Sequence, residues 1–199
     1  GRLQTADYLY KLQDRQEKYF ALGATHEEVI TDIVRKYVFS YKDLPLYLYQ
    51  IQVKFRDELR AKSGLLRGRE FLMKDLYSFH VSEKDLMEYY DRVKEAYFKI
   101  FKRCGLEAIY TLAAGGPFTI SNTHEFQVLA DVGEDKIFVC SKCEYAENSE
   151  ISELKGGDSC PKCGGKLKEK KSIEVGNIFP LGTKYSEAFG LNFTSEGGS

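Results

Sequence analysis

The sequence lacks an excess of either charge. Its 29 basic and 30 acidic residues nearly cancel, so net charge points to no polyanionic partner, and any contact with nucleic acid has to come from a local patch. It lacks any apolar run approaching the roughly 20 residues that a bilayer crossing requires. The opening Gly1-Arg2-Leu3-Gln4-Thr5 has none of the layout of a secretory leader, and no internal repeat is present. A disulfide framework is missing as well: of five cysteines, four fall into two Cys-x-x-Cys pairs, which in a reducing compartment indicate metal rather than cross-links. These absences leave a cytoplasmic chain with no membrane partner as the expectation.

What is present suffices for one substantial core and a small satellite, with 199 residues, 43% of them hydrophobic and 14% aromatic. Tyr19-Phe20-Ala21-Leu22 reads as a strand ended by Gly23. Thr25 with Glu28 forms a capping box, and Val29, Ile30, Ile33, Val34, Tyr37 and Val38 follow at helical spacing. From Tyr49 to Glu58 the period becomes two, with Tyr49, Ile51, Val53 and Phe55 on one face and Gln50, Gln52, Lys54, Arg56 and Glu58 on the other. After a basic loop over 59–64, Arg67, Arg69, Phe71, Met73, Asp75 and Tyr77 share one side of a second strand, giving a hairpin with a polar working face. Ser82 caps a long amphipathic helix whose inward stripe is Leu86, Tyr89, Tyr90, Val93, Tyr97, Ile100 and Phe101, with Gly105 at its C-terminal turn and Cys104 beside it as a small buried hydrophobe. Further strands are expected at Glu125 to Ala130 and at Ile173 to Phe179.

Cys140-x-x-Cys143 and Cys160-x-x-Cys163, sixteen residues apart with Gly164-Gly165 after the second pair, have the spacing of a four-thiolate zinc ribbon. A closed structural Zn²⁺ site is favoured over a redox pair. This lysine- and glycine-rich segment reads as an insertion standing off the main sheet.

The hairpin supplies what ATP needs for adenylate formation: a cation for the α-phosphate (Arg56), an acceptor for the adenine amino group (Glu58) and a flat apolar ring for the purine (Phe71). A solvated strand face would show the same periodicity. The wording decides between them. Phe55-Arg56-Asp57-Glu58, a loop, then Gly64-Leu65-Leu66-Arg67-Gly68-Arg69-Glu70-Phe71-Leu72-Met73-Lys74-Asp75 resembles motif 2 of class II aminoacyl-tRNA synthetases, and the bacterial-type prolyl family in particular. The resemblance extends through Leu22-Gly23-Ala24-Thr25-His26-Glu27-Glu28, Leu48-Tyr49-Gln50-Ile51-Gln52, Thr123-His124-Glu125-Phe126 and Leu181-Gly182-Thr183-Lys184-Tyr185-Ser186.

That resemblance implies an α+β fold, the class II antiparallel sheet flanked by helices. Residues 1–136 would be catalytic core, 137–172 the zinc-ribbon insertion and 173–199 a return to the core. It implies activation of proline with ATP and Mg²⁺, transfer to tRNA(Pro), and a homodimer for the complete protein. By residue, it implies Arg56 on the α-phosphate and the prolyl carboxylate, Glu58 on adenine, Arg67 on the terminal phosphates and Phe71 stacked on the purine. Thr25, Glu27 and His124 would line the proline pocket, with Glu27 as counter-charge to the substrate's secondary ammonium, while Arg60 and Lys62 would approach the tRNA acceptor end. The family's motif 1 and motif 3 arginine fall outside residues 1–199, its large editing domain is replaced by the short ribbon, and Asn177 stands where relatives usually carry histidine. These departures leave a second expectation, a synthetase-like binding protein without aminoacylation activity.

Overall fold

A computed structural model describes residues 2–119 and 121–198. In chain order its elements are α1 (Arg2–Thr5), β1 (Lys11–Gln13), β2 (Tyr19–Ala21), α2 (Glu27–Val34), a 3-10 turn (Tyr41–Asp43), β3 (Leu46–Phe55), β4 (Glu70–Phe79), α3 (Glu83–Arg103), β5 (Ala108–Ala113), β6 (Thr123–Leu129), β7 (Asp135–Cys140), β8 (Ala146–Asn148), β9 (Leu167–Ile178) and α4 (Lys184–Phe189). They divide into two compact units, Gly1–Val81 with Tyr185–Ser199, and Ser82–Lys184. Among the described residues no helix is long and apolar enough to cross a membrane.

In the first unit, β1 pairs with β2 and β3 pairs with β4, both antiparallel, the latter in unbroken register from Leu46↔Phe79 to Phe55↔Glu70. The strand expected from Tyr49 thus begins three residues earlier and ends at Phe55, leaving Arg56 and Glu58 just beyond it. The two faces separate as the period of two requires, but their burial is the reverse of the usual assignment. Tyr49, Ile51 and Leu72 are 70%, 63% and 68% exposed, whereas Lys54 is completely buried. The polar face can be buried because its groups satisfy one another across the hairpin.

The capping box expected at Thr25 and Glu28 is displaced. The N-cap of α2 is His26, whose side chain makes no cap bond, because its ring is engaged elsewhere. A capping box does form one element later, where Ser40 and Asp43 bracket the 3-10 turn. The helix also stops at Val34, leaving Tyr37 72% exposed in the following turn.

In the second unit, Ser82 Oγ accepts the Asp85 N–H at 3.2 Å and starts α3 as expected. Its C-terminus closes on Gly105 at φ 74°, with the Leu106 N–H bonded to the Phe101 carbonyl at 2.9 Å. Tyr90 and Phe101 are buried with Phe126 and Ile178, and Val93, Tyr97 and Phe98 pack around them. Two expectations fail here: Ile100 is 49% exposed, its inward place taken by Phe98, and Cys104 is exposed rather than buried.

The strands of this unit close into a barrel in the order β5-β6-β9-β7-β8. β9 is the common member, pairing with β7 through Leu167–Ser172 and with β6 through Ser172–Ile178. Phe126 faces Gly176 and Gln127 faces Glu174, so Val175 is an extra residue, a β-bulge. A Cβ on Gly176 would lie 2.9 Å from Phe101 Cζ, so only glycine lets the α3 rings lie flat against the strand. The cysteine segment does not stand off the sheet: it shares β7 and β9 with the barrel, and the boundaries expected at 136/137 and 172/173 fall inside those two strands.

Candidate functional site

At the loop end of the β3–β4 hairpin, the Arg56 N–H bonds to the Arg69 carbonyl at 2.9 Å, carrying the ladder one step past the strands. The Arg56 guanidinium carbon lies 5.2 Å from the Phe71 ring centroid, within cation–π range. Glu58 and Arg67 are 3.6 Å apart, and Arg69 Nε donates to the Glu58 carbonyl at 2.9 Å. These contacts join the four residues in two pairs, one offering a cation beside a π surface and the other an acceptor beside a cation. Between them the chain turns through Ser63 and Gly64, both at positive φ, and the Lys62 N–H bonds to the Arg67 carbonyl at 3.1 Å. Arg60 and Lys62 are exposed on this tip, flanked by Leu59 and Leu65 at 92% and 101% exposure.

Further down the same hairpin face lies a buried polar chain that the sequence had not singled out. Lys54 Nζ donates to Asp75 Oδ1 at 2.9 Å, and Gln50 Nε2 donates to Asp75 Oδ2 at 2.7 Å. Gln50 Nε2 also lies 2.6 Å from His26 Nδ1, which therefore accepts, and the Tyr77 hydroxyl accepts the His26 N–H at 3.2 Å. Burial works to raise the Asp75 carboxyl, but bonds from Gln50, Lys54 and Tyr77 outweigh it and hold it below the ordinary carboxylate value. Burial, and then the negative charge of Glu27, push the Tyr77 hydroxyl up, so it remains a proton donor. The signal was available: Gln50 and Lys54 share the polar face of one strand and Asp75 and Tyr77 that of the other, and the register Gln50↔Asp75 unites them. Glu27, the first residue of α2, is 9% exposed, and Thr25, two residues before it, is half-buried.

His124 lies in the second unit, on β6. Its ring stacks on Tyr110 with centroids 4.1 Å apart, and its Nδ1 is 3.0 Å from the oxygen of the Tyr90 hydroxyl, whose proton goes to the Ile178 carbonyl at 3.0 Å. Lys94 Nζ sits 4.6 Å from the Tyr110 ring centroid. Burial, with the charge of Lys94 second, lowers the His124 pKa, so the ring is neutral near pH 7. Neighbouring Thr123, fully buried, donates its hydroxyl to the Ile178 carbonyl, and its Oγ lies 3.3 Å from Asn177 Oδ1. Asn177 is thus oriented from the same strand pair that carries His124.

At the far end of β9 the four expected cysteines converge. Their sulfurs all lie within 4.8 Å of one another, with Cys140 to Cys163 at 3.5 Å and Cys143 to Cys160 at 3.7 Å. Sulfurs tetrahedrally placed about 2.3 Å from a zinc ion would be about 3.8 Å apart, whereas a disulfide needs about 2 Å, so the set fits a metal and not a cross-link. The Lys142 N–H points at Cys140 Sγ (3.3 Å) and the Gly165 N–H at Cys163 Sγ (3.4 Å), as suits ionised sulfur. The first of these bonds leads in lowering the Cys140 thiol to about 6. For Cys143 the Tyr145 N–H pulls down, but burial and the thiols of Cys163, Cys140 and Cys160 prevail and raise it to about 12. Four clustered thiols cannot all ionise without a cation among them. A Cβ on Gly165 would come 2.9 Å from Cys140 Sγ, so this turn needs glycine to admit the sulfur.

The hairpin, the buried carboxylate at a helix start and the thiolate cluster coincide with a shared ancestry: the chain belongs to the family described as the tRNA synthetase class II core domain (G, H, P, S and T), which matches residues 10–199. Within that family it is similar to enzymes for one amino acid. It is 46% identical to the proline–tRNA ligase of Sulfurimonas denitrificans over 209 residues, covering 96% of this chain and 48% of the relative. It is 47% identical to the probable mitochondrial proline–tRNA ligase of Rattus norvegicus over 191 residues, covering 96% of this chain and 40% of that one. The chain therefore spans half or less of the length of these relatives. The prolyl-tRNA synthetase of Cryptosporidium parvum, solved with L-proline and AMP, shares the fold at a TM-score of 0.71 and 19% identity over 100% of this chain and 34% of that one. The Giardia lamblia enzyme, solved with prolyl-adenylate, does so at 0.72 and 18%, over 96% and 33%.

Proposed function

We propose that this chain is the ATP- and proline-handling core of a proline–tRNA ligase, which condenses proline with ATP to prolyl-adenylate, releases pyrophosphate and transfers the prolyl group to tRNA(Pro). The observation that carries the reading is the Arg56–Phe71 pair at 5.2 Å at the loop end of the hairpin, in a chain whose relatives are proline–tRNA ligases. The substrate carboxylate is already an ionised nucleophile, so activation needs orientation and charge stabilisation and no general base. Arg56 would hold that carboxylate near the α-phosphorus and neutralise charge as it develops, while Phe71 receives the purine. Glu58 would accept from the adenine amino group and Arg67 would engage the terminal phosphates, exchanging their mutual contact for the nucleotide. Glu27 and Thr25 would receive the proline ammonium, and His124, held neutral, would bind rather than transfer a proton.

Mg²⁺ would travel on the ATP phosphates, keeping most of its waters and neutralising their charge. Zn²⁺ would be held by Cys140, Cys143, Cys160 and Cys163 in a structural role, and thiolates of this kind favour a reducing compartment such as the cytoplasm. The exposed Arg60 and Lys62 tip is the surface we assign to the tRNA acceptor end, and a homodimer is the assembly we assign to the complete protein.

Proline-dependent ATP–pyrophosphate exchange by the full-length protein tests the reading. Arg56→Lys keeps the charge but loses the planar stacked fork, and is expected to lower kcat/KM about 100-fold. Absence of proline-dependent exchange in the unsubstituted protein would refute the enzyme reading in favour of a binding protein.

A further inference from the structure

His26 is fixed twice from the hairpin, at its main-chain N–H by the Tyr77 hydroxyl and at its ring Nδ1 by Gln50 Nε2. It immediately precedes Glu27, so whatever fixes His26 fixes the start of α2 and the direction in which the Glu27 carboxylate leaves the backbone. A second constraint comes from behind: a Cβ on Gly23 would fall 2.3 Å from His26 Nε2, and the Gly23 carbonyl accepts the Phe55 N–H at 2.9 Å. The His26 ring is therefore wedged between a backbone that is itself tied to the end of β3 and the amide of Gln50.

Gln50 in turn depends on Asp75, which Lys54 and Tyr77 hold ionised and oriented. Lys54 stands directly across the ladder from Phe71, one strand position from the end that carries Arg56. One buried chain, Lys54–Asp75–Gln50–His26, thus begins beneath the ring assigned to the nucleotide and ends at the backbone of the carboxylate assigned to the amino acid.

We propose that this chain is a positioning truss, in which Gln50 and His26 set the Glu27 carboxylate at a fixed place relative to Arg56 and Phe71, so that the proline amine is received where its carboxylate meets the α-phosphate. None of its members touches substrate. Gln50 is the link whose loss separates the two ends while leaving the Lys54–Asp75 ion pair intact. The proposal rests on the assignment of Glu27 to the amino-acid pocket, and it adds three positioning residues, His26, Gln50 and Asp75, to that site.

Steady-state exchange kinetics of the full-length protein test it, with proline and ATP varied separately. Gln50→Met and His26→Ala are expected to raise the KM for proline about tenfold, as loss of a partner behind a ligating group does in other sites, while the KM for ATP changes less than twofold. His26→Asn, whose Oδ1 reproduces the acceptor of Nδ1, is expected to recover most of the proline KM. A merely structural role predicts instead that both KM values and the thermal midpoint move together and that His26→Asn gives no recovery, and that result would overturn the truss. So would an unchanged proline KM in Gln50→Met. Failure of the unsubstituted protein to exchange would count against the proposed function alone. In that case direct calorimetric titration with proline, comparing His26→Ala with His26→Asn, decides the truss by the same recovery or its absence.

Discussion

Removing Asp75 should be more damaging than removing Lys54, although the two form one ion pair. Their separation is 2.9 Å, with side-chain exposures of 0% for Lys54 and 12% for Asp75. At an effective dielectric of about 20 the direct attraction is about 6 kcal/mol, and most of it is offset by desolvation of both ions. What a single substitution exposes is therefore the burial cost of the ion left behind. After Lys54→Met, Asp75 still accepts from Gln50 and Tyr77 and touches solvent, so we expect a loss of about 2 kcal/mol. After Asp75→Asn, the Lys54 ammonium has lost its charge partner with no exposure at all, so about 3–5 kcal/mol is expected, the range for breaking buried pairs. In a chain of this length that lowers the thermal midpoint by about 10 °C.

Urea denaturation of the four members of the cycle measures these terms directly, and the double variant Lys54→Met/Asp75→Asn should be more stable than Asp75→Asn alone. The pH dependence carries a matching sign. Because the folded Asp75 carboxyl is lowered, its contribution is fully present above the ordinary value of 3.8 and is lost as pH falls through the lower folded value. The reasoning is refuted if Asp75→Asn lies within about 1 kcal/mol of the parent, or if the two single losses simply add.

Two further outcomes are expected. Purified protein should carry one zinc ion per chain by mass spectrometry under native conditions, and Cys143→Ser or a strong chelator should abolish it with loss of amide-exchange protection in β7 and the first half of β9; rebinding should release protons, because the raised Cys143 thiol must ionise. His124 should titrate below its ordinary 6.5 by NMR. The depressed value means that its share of stability is present above 6.5 and declines as pH falls through the folded pKa, and Lys94→Met should move that pKa upward.

Spacing that is short in sequence is readable from the residues alone. The cysteine pairs, the Ser82 cap with Gly105 closing the same helix, and the alternation along both hairpin strands all describe local chemistry. What alternation could not supply was the sign of burial. Tyr49 and Ile51 look like core until Lys54, Gln50 and Asp75 are seen to satisfy one another on the opposite face, and that depends on a register between strands about twenty residues apart. The displaced cap has the same origin: Thr25 is a sound cap by type, but His26 is held by Tyr77 and Gln50 from the hairpin, and tertiary bonds decide where the helix starts. Cys104 is exposed although it follows the inward stripe at helical spacing, because the closing turn of α3 no longer obeys that count.

The extra residue at Val175 changes the phase of β9. In an unbroken strand Ser172 and Ile178, six residues apart, would point to one side, and Val175 and Ile178, three apart, to opposite sides. Instead Val175 and Ile178 both pack against Phe126 and the α3 rings. A single twelve-residue ribbon, about 40 Å long, therefore serves two clusters, the cysteines and Phe138 at its Leu167 end and the α3 rings at its Ile178 end. Because the register with β6 shifts between Phe126 and Gln127, the side on which Asn177 lies is set by its pairing with Glu125 and not by counting from the cysteines.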